Sequence, residues 1–244
     1  MKEYKYLLFD LDNTLMDFDR AEETAFYATF SASDLVVDAN TYAVYHEINS
    51  GLWHQLEKGE VTRERLKDLR YEMLFERLGI PDDGKSRQVS DLYFTELSRQ
   101  QFLMDGAEDV CRLLQPHYKM YIVTNGTYEV QKGRFFGSPV EKYFEEIFVS
   151  EHIGAAKPSP VFFDHVLKTV GDGDTSAYCV IGDSLTSDMD GAILAGMDAI
   201  WLDPRGTRDA KGFRKYIGSK RSVVMHVNVS RILKNISTVL LLTE

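Results

Sequence analysis

Cysteine is nearly absent from this 244-residue chain, with only Cys111 and Cys179 present. Each lies inside an apolar stretch, which suits buried reduced thiols and excludes a disulfide-stapled scaffold. Long hydrophobic runs are also missing. The tail Val239-Leu240-Leu241-Leu242 falls far short of the roughly 20 residues that span a bilayer. No basic-then-apolar signal pattern opens the chain, so the expected location is a reducing cytoplasm, with no membrane partner. Positive charge is scarce: 28 Lys and Arg against 38 Asp and Glu give a net charge of −10. That balance excludes a general binder of nucleic-acid polymers, which carries a basic stripe. A small phosphorylated metabolite is still compatible, because a local cationic pocket or a bound metal can supply the missing charge. Nor is there an internal repeat or a low-complexity segment. What remains is 44% hydrophobic and 12% aromatic, ordinary for a globular chain long enough to bury a substantial core.

One stretch near the front organises the rest: Tyr6-Leu7-Leu8-Phe9-Asp10-Leu11-Asp12-Asn13-Thr14-Leu15. An apolar run of strand length stops at a carboxylate, and a second carboxylate follows two residues later. If the strand persists that far, alternation makes Asp10 and Asp12 project together. Two acids so placed repel, and a shared proton, a cation or a metal must offset the repulsion. An acidic turn after a strand is the plainer reading, since Asp-x-Asp-Asn is also ordinary loop chemistry. The two readings are separated only by the remainder of the chain.

From residue 17 to 99 the pattern is helical. Asp19-Arg20-Ala21-Glu22 has the form of a capping box. Tyr42, Tyr45, Ile48, Leu52, Trp53 and Leu56 recur at helical spacing up to Gly59. Thr62 is placed to cap a third helix that Gly79-Ile80-Pro81 terminates, and a fourth covers 86–98. After residue 100 short buried strands alternate with helices. Strands are expected at 120–123, 147–149, 178–181 and 199–202, with a further one at 223–227. Alternation of this kind predicts a parallel, doubly wound, Rossmann-like α/β sheet. The expected organisation is a core formed by residues 1–16 and 100–244, interrupted by a helical insertion over 17–99. Ligands of open parallel sheets bind beyond the carboxyl ends of the strands, where this insertion departs, so a lid is expected there.

Three buried strands end in complementary polar residues: Asp10 and Asp12, then Thr124-Asn125, then Gly182-Asp183 with Asp188 five residues on. Lys157-Pro158 stands between the last two. Singly, each has a structural explanation: a turn former, a solvated lysine, a generic Gly-Asp turn. Together they give four carboxylates, one hydroxyl and one ammonium on a single sheet edge. In order and spacing these motifs resemble the haloacid dehalogenase-like hydrolase superfamily, in its helical-cap subgroup. The segment from Ile181 to Asp188, followed by Gly191-Ala192 and Ala195-Gly196, is most similar to its nucleoside 5'-monophosphate phosphatase branch.

That resemblance implies a phosphomonoester hydrolase working through an aspartyl-phosphate. Asp10 is then the nucleophile, and Asp12 the acid that protonates the leaving oxygen and later activates water. A Mg²⁺ ion is implied, held by the Asp10 carboxylate, the Asp12 main-chain carbonyl and the Asp183 carboxylate, with Asp188 a further ligand or an orienter. Lys157 and Thr124, with the backbone amides of Asn125 and Gly126, are expected to stabilise the transferring group. Alternatives on the same fold are a phosphomutase, a phosphatase for phosphoglycolate or sugar phosphates, a halide-removing hydrolase and a catalytically idle binding protein. The halide reading has no use for an acid at Asp12, because a leaving halide takes no proton. Thr14 is expected to support the loop, Gly182 to permit a tight turn, and Phe18 and Trp53 to pack in the core. His46 and His54 share one face of a helix and are assigned no catalytic role. Arg205-Gly206-Thr207-Arg208 is expected to be an exposed loop.

Overall fold

The computed structural model describes residues 4–33 and 35–202. The Arg205–Arg208 loop and the strand expected at 223–227 lie outside the described residues. The chain divides into two compact units. One comprises Met1–Phe18, Gln101–Gln131 and Phe135–Glu244; the other comprises Asp19–Gln100 and Lys132–Arg134.

The first unit is built on five parallel strands: β1 (Tyr6–Phe9), β2 (Lys119–Thr124), β3 (Glu146–Val149), β4 (Tyr178–Gly182) and β5 (Asp198–Trp201), in the order β3-β2-β1-β4-β5. Alternation along each strand sorts the side chains into two cores. Leu7, Phe9, Ile122, Cys179 and Ile181 join Val110, Cys111 and Leu114 of α5 (Ala107–Leu114). Leu8, Tyr121, Val123 and Val180 join Phe162, Phe163 and Val166 of α8 (Pro160–Val170). Both faces are therefore covered, the architecture expected of a doubly wound sheet. Two short helices also belong to the unit: α7 (Ser150–Ile153), not expected from sequence, and α9 (Asp190–Leu194). The sequence predicts a helix over 187–195; a wide π-type turn over Leu185–Met189 takes its first residues, and α9 is correspondingly shorter. The remaining helix, α6 (Tyr128–Phe135), follows β2.

The second unit contains α1 (Phe18–Ser31, whose first residue belongs to the sheet unit), α2 (Ala39–Glu57), α3 (Arg63–Leu78) and α4 (Lys85–Ser98). Thr62 caps α3 by accepting from Arg65 N, and Gly79 ends it in the left-handed conformation, which glycine adopts at no steric cost. The capping box expected at Asp19–Glu22 does not form, because α1 already begins at Phe18. Glu22 is buried instead, accepting from Asn49 Nδ2 at 2.6 Å and Tyr42 Oη at 3.2 Å, with His46 Nδ1 at 2.6 Å. Tyr45 stacks on Tyr71 with ring centroids 5.3 Å apart, and Tyr93 meets both edge-on. Trp53 and Phe18 are half-buried rather than core residues. Among the described residues no helix is long and apolar enough to cross a membrane.

Candidate active site

The three central strands stop within two residues of one another in register. Phe9, the last residue of β1, pairs with Ile122 of β2 on one side and Ile181 of β4 on the other. Residues just beyond those pairs therefore emerge together at the carboxyl edge. They are Asp10, Thr124 and Asp183, and Asp10 N donates to Ile181 O at 2.8 Å.

Asp12 reaches the same edge by a different route. The strand does not persist to it, ending at Phe9, so alternation is not what aims its carboxylate. A tight loop does. Leu15 N and Met16 N both donate to Leu11 O, while Asn13 N donates to Met16 O at 2.7 Å. Asn13 adopts a φ of 57°, a left-handed conformation that asparagine tolerates better than most residues. Its Oδ1 accepts from Phe18 N at 3.1 Å and closes the loop. Thr14, expected to support this loop, is buried in it, with no hydrogen-bond partner for Oγ1 among the described residues.

Lys157 sits at the centre, 1% exposed, and spends all its ammonium protons. Nζ donates to Asp10 Oδ1 at 2.7 Å, Asp188 Oδ1 at 2.6 Å and Val123 O at 2.7 Å. Burial alone would pull this ammonium down, but Asp10 and Asp188 outweigh it and hold Lys157 above its usual range. Asp10 shows the opposite balance. Burial pushes its carboxyl well above the ordinary carboxylate range, and the charges of Asp188, Asp183 and Asp12 add to the effect while Lys157 opposes it.

Asn125 clamps the lysine loop: its side chain donates to Lys157 O at 2.9 Å and accepts from Lys157 N at 2.8 Å. Gly126 N, expected to face a substrate, donates to Thr124 Oγ1 at 3.2 Å. Asp188 is fully buried, with Oδ2 accepting from Ser184 N at 3.1 Å. Gly182 has a different reason from the tight turn expected, since its φ is not left-handed. A Cβ at that position would run into the Asp188 carboxylate.

Carboxylate oxygens of Asp10, Asp183 and Asp188 all lie within 4.8 Å of one another. Three acids facing one ammonium leave surplus negative charge at a buried point. Hard divalent cations prefer oxygen donors of this kind, and Mg²⁺ needs only one or two carboxylates besides water and phosphate. The donor set fits such an ion.

One participant was not anticipated from sequence. Gln131, on α6, is 1% exposed, and its Nε2 donates to Asp12 Oδ2 at 2.6 Å and to Thr124 Oγ1 at 2.8 Å. The available signal was a lone amide in the first turn of the helix that follows the Thr-Asn-Gly strand end.

A parallel sheet with acids, a hydroxyl and a buried lysine at its carboxyl edge defines a hydrolase of the α/β class. The haloacid dehalogenase-like hydrolase model matches residues 4–196, and the chain belongs to that family. It is 37% identical over 204 residues to YfnB of Bacillus subtilis, named a HAD-hydrolase, covering 84% of this chain and 86% of YfnB. It is 34% identical to the pyrimidine 5'-nucleotidase PynA of Streptococcus pneumoniae, covering 82% and 84% of the two chains. The crystal structure of YfnB bound to magnesium superposes with a TM-score of 0.85 at 32% identity, covering 98% and 99% of the two chains.

Proposed function

We propose that this hydrolase is a Mg²⁺-dependent phosphomonoesterase that works through an aspartyl-phosphate. The observation that carries the reading is Asp10, buried at the strand end against Lys157, with Asp183 and Asp188 converging on it. In this reading Asp10, Asp183 and the Asp12 carbonyl hold the cation. The bound ion would supply the charge compensation that lets an anionic phosphoryl group approach a carboxylate. Asp188, whose two oxygens are engaged by Lys157 and Ser184 N, acts mainly to orient the lysine.

An Asp10 oxygen attacks phosphorus, and the bond to the leaving oxygen breaks as Asp12 delivers its proton there. Asp12 then takes a proton from water, whose oxygen attacks the phosphorus of the acyl phosphate. The bond from phosphorus to Asp10 breaks, releasing inorganic phosphate and restoring both acids. Lys157 and the Thr124 hydroxyl stabilise the charge on the transferring group. An acid at Asp12 supports ester cleavage over halide removal.

A nucleoside 5'-monophosphate is the proposed substrate, supported by the likeness to PynA. The helical insertion is proposed to act as the cap that sets specificity. The test is phosphate release from a panel of nucleotides, sugar phosphates and phosphoglycolate, with Mg²⁺ and with chelator, for wild type and Asp10→Asn. Metal-dependent release, lost in the variant and fastest on nucleotides, is the expected result. Faster release from phosphoglycolate would overturn the substrate, and no release from a folded sample would overturn the reaction.

A further inference from the structure

We infer that Gln131 is a positioning residue that locks the acid/base Asp12 and the phosphoryl-binding Thr124 into one unit. This inference rests on the phosphatase reading above and deepens it. A primary amide nitrogen carries two protons, and Gln131 Nε2 directs them to Asp12 Oδ2 at 2.6 Å and Thr124 Oγ1 at 2.8 Å. A hydroxyl oxygen has two lone pairs and one proton. Both lone pairs of Thr124 Oγ1 are taken, one by Gln131 and the other by Gly126 N at 3.2 Å. The Thr124 proton is thereby committed to donation. Donation is the sense an acceptor-only phosphoryl oxygen requires.

For Asp12 the same amide fixes the plane of the carboxylate. A neutral amide achieves this without the full charge that a lysine would bring.

Two further features show that the arrangement is built in. Gln131 is held in the first turn of α6, its N–H donating to Thr127 O at 2.9 Å. At residue 126 a side chain is impossible without moving it, because a Cβ there would collide with Nε2, Cδ and Cγ of Gln131. The glycine is the space into which the amide fits.

The experiment compares kcat/KM for two esters in wild type and Gln131→Met, which keeps the side-chain length and removes the donor. One ester is a nucleoside 5'-monophosphate, whose alkoxide leaves only with a proton. The other is p-nitrophenyl phosphate, whose leaving group departs without one. kcat/KM reports the step in which Asp10 is phosphorylated, so a displaced acid penalises the alkyl ester selectively. A loss of about 100-fold on the nucleotide, with a loss at least about tenfold smaller on the aryl ester, is expected. Gly126→Ala, which drives the amide out from the other side, is expected to show the same selectivity. If the Met variant does not fold, Gln131→Leu, which likewise carries no donor, takes its place. Equal losses on both esters, or no loss in a folded variant, would overturn the inference. Wild-type turnover of both esters is the control: if neither is hydrolysed, the phosphatase reading fails and this inference with it. A failure of Gln131 alone appears only in the variants.

Discussion

Lys157 Nζ lies 2.6 Å from Asp188 Oδ1, and the two side chains are 1% and 0% exposed. A buried charge pair of this kind is costly to assemble and costlier to break. Because Asp10 shares the same ammonium at 2.7 Å, Lys157 is paired with two carboxylates at once. Lys157→Met is expected to lower stability by about 3–5 kcal/mol, read as a shifted urea midpoint, with added Mg²⁺ restoring part of the loss. An unchanged midpoint would mean that this triad contributes nothing to folding.

Gly182→Ala tests close packing rather than backbone freedom. The added methyl meets Asp188 Cβ at 2.8 Å and overlaps its carboxylate. Overpacking of this sort costs roughly 1–3 kcal/mol, and here it also displaces the acid that orients Lys157. Melting temperature and turnover should fall together. A variant that melts like wild type would show that the π-type turn yields easily.

Burial raises the Cys111 thiol from 9.0 to about 12. At pH 8 the folded protein should therefore resist alkylation at Cys111, while the urea-unfolded chain reacts. The sign for stability follows from the same shift. The unfolded thiol loses its proton first, so this contribution is intact below about pH 9 and declines as pH rises towards 12. Mass spectrometry after iodoacetamide treatment across this range checks both statements, and rapid labelling of folded protein at pH 8 would refute them.

In the helical unit, Glu22→Ala should destabilise without any change at the sheet edge residues. The carboxylate binds Asn49, which is 2% exposed, as well as Tyr42 and His46. Leaving buried donors unmatched costs about 1–3 kcal/mol. Calorimetry on the purified variant would measure it, and a loss confined to a few tenths would assign those donors to solvent instead.

Much of this arrangement was legible in the sequence, because strands buried on both faces read as short apolar runs. All the strand cores within the described residues were visible in that way, as were the Thr62 cap and the Gly79 stop. Asp10, Thr124 and Asp183 were legible as polar groups at strand ends, with Lys157 between two of those ends and Asp188 five residues past the last, and four of these five residues meet within hydrogen-bond or ligand distance. The errors have physical causes. Glu22 satisfied a local capping pattern, yet its partners lie 20–27 residues away on α2, a tertiary contact that no window reveals. Gln131 escaped for the same reason: its partner Asp12 is 119 residues distant. Asp12 itself was aimed by alternation in the reading and by a left-handed Asn13 in the molecule.

Placing the first strand in the middle of the sheet has a consequence for biosynthesis. β1 ends at Phe9, yet its neighbour β4 begins only at Tyr178. At the usual pace of translation, roughly ten to thirty seconds separate the two. Leu7, Leu8 and Phe9, each no more than 2% exposed in the finished fold, have both hydrogen-bonding edges uncovered until β2 is made and one edge uncovered until β4 follows. Helices α1 to α4 are all synthesised before either neighbour of β1, so their full sequence is available while the sheet is still incomplete.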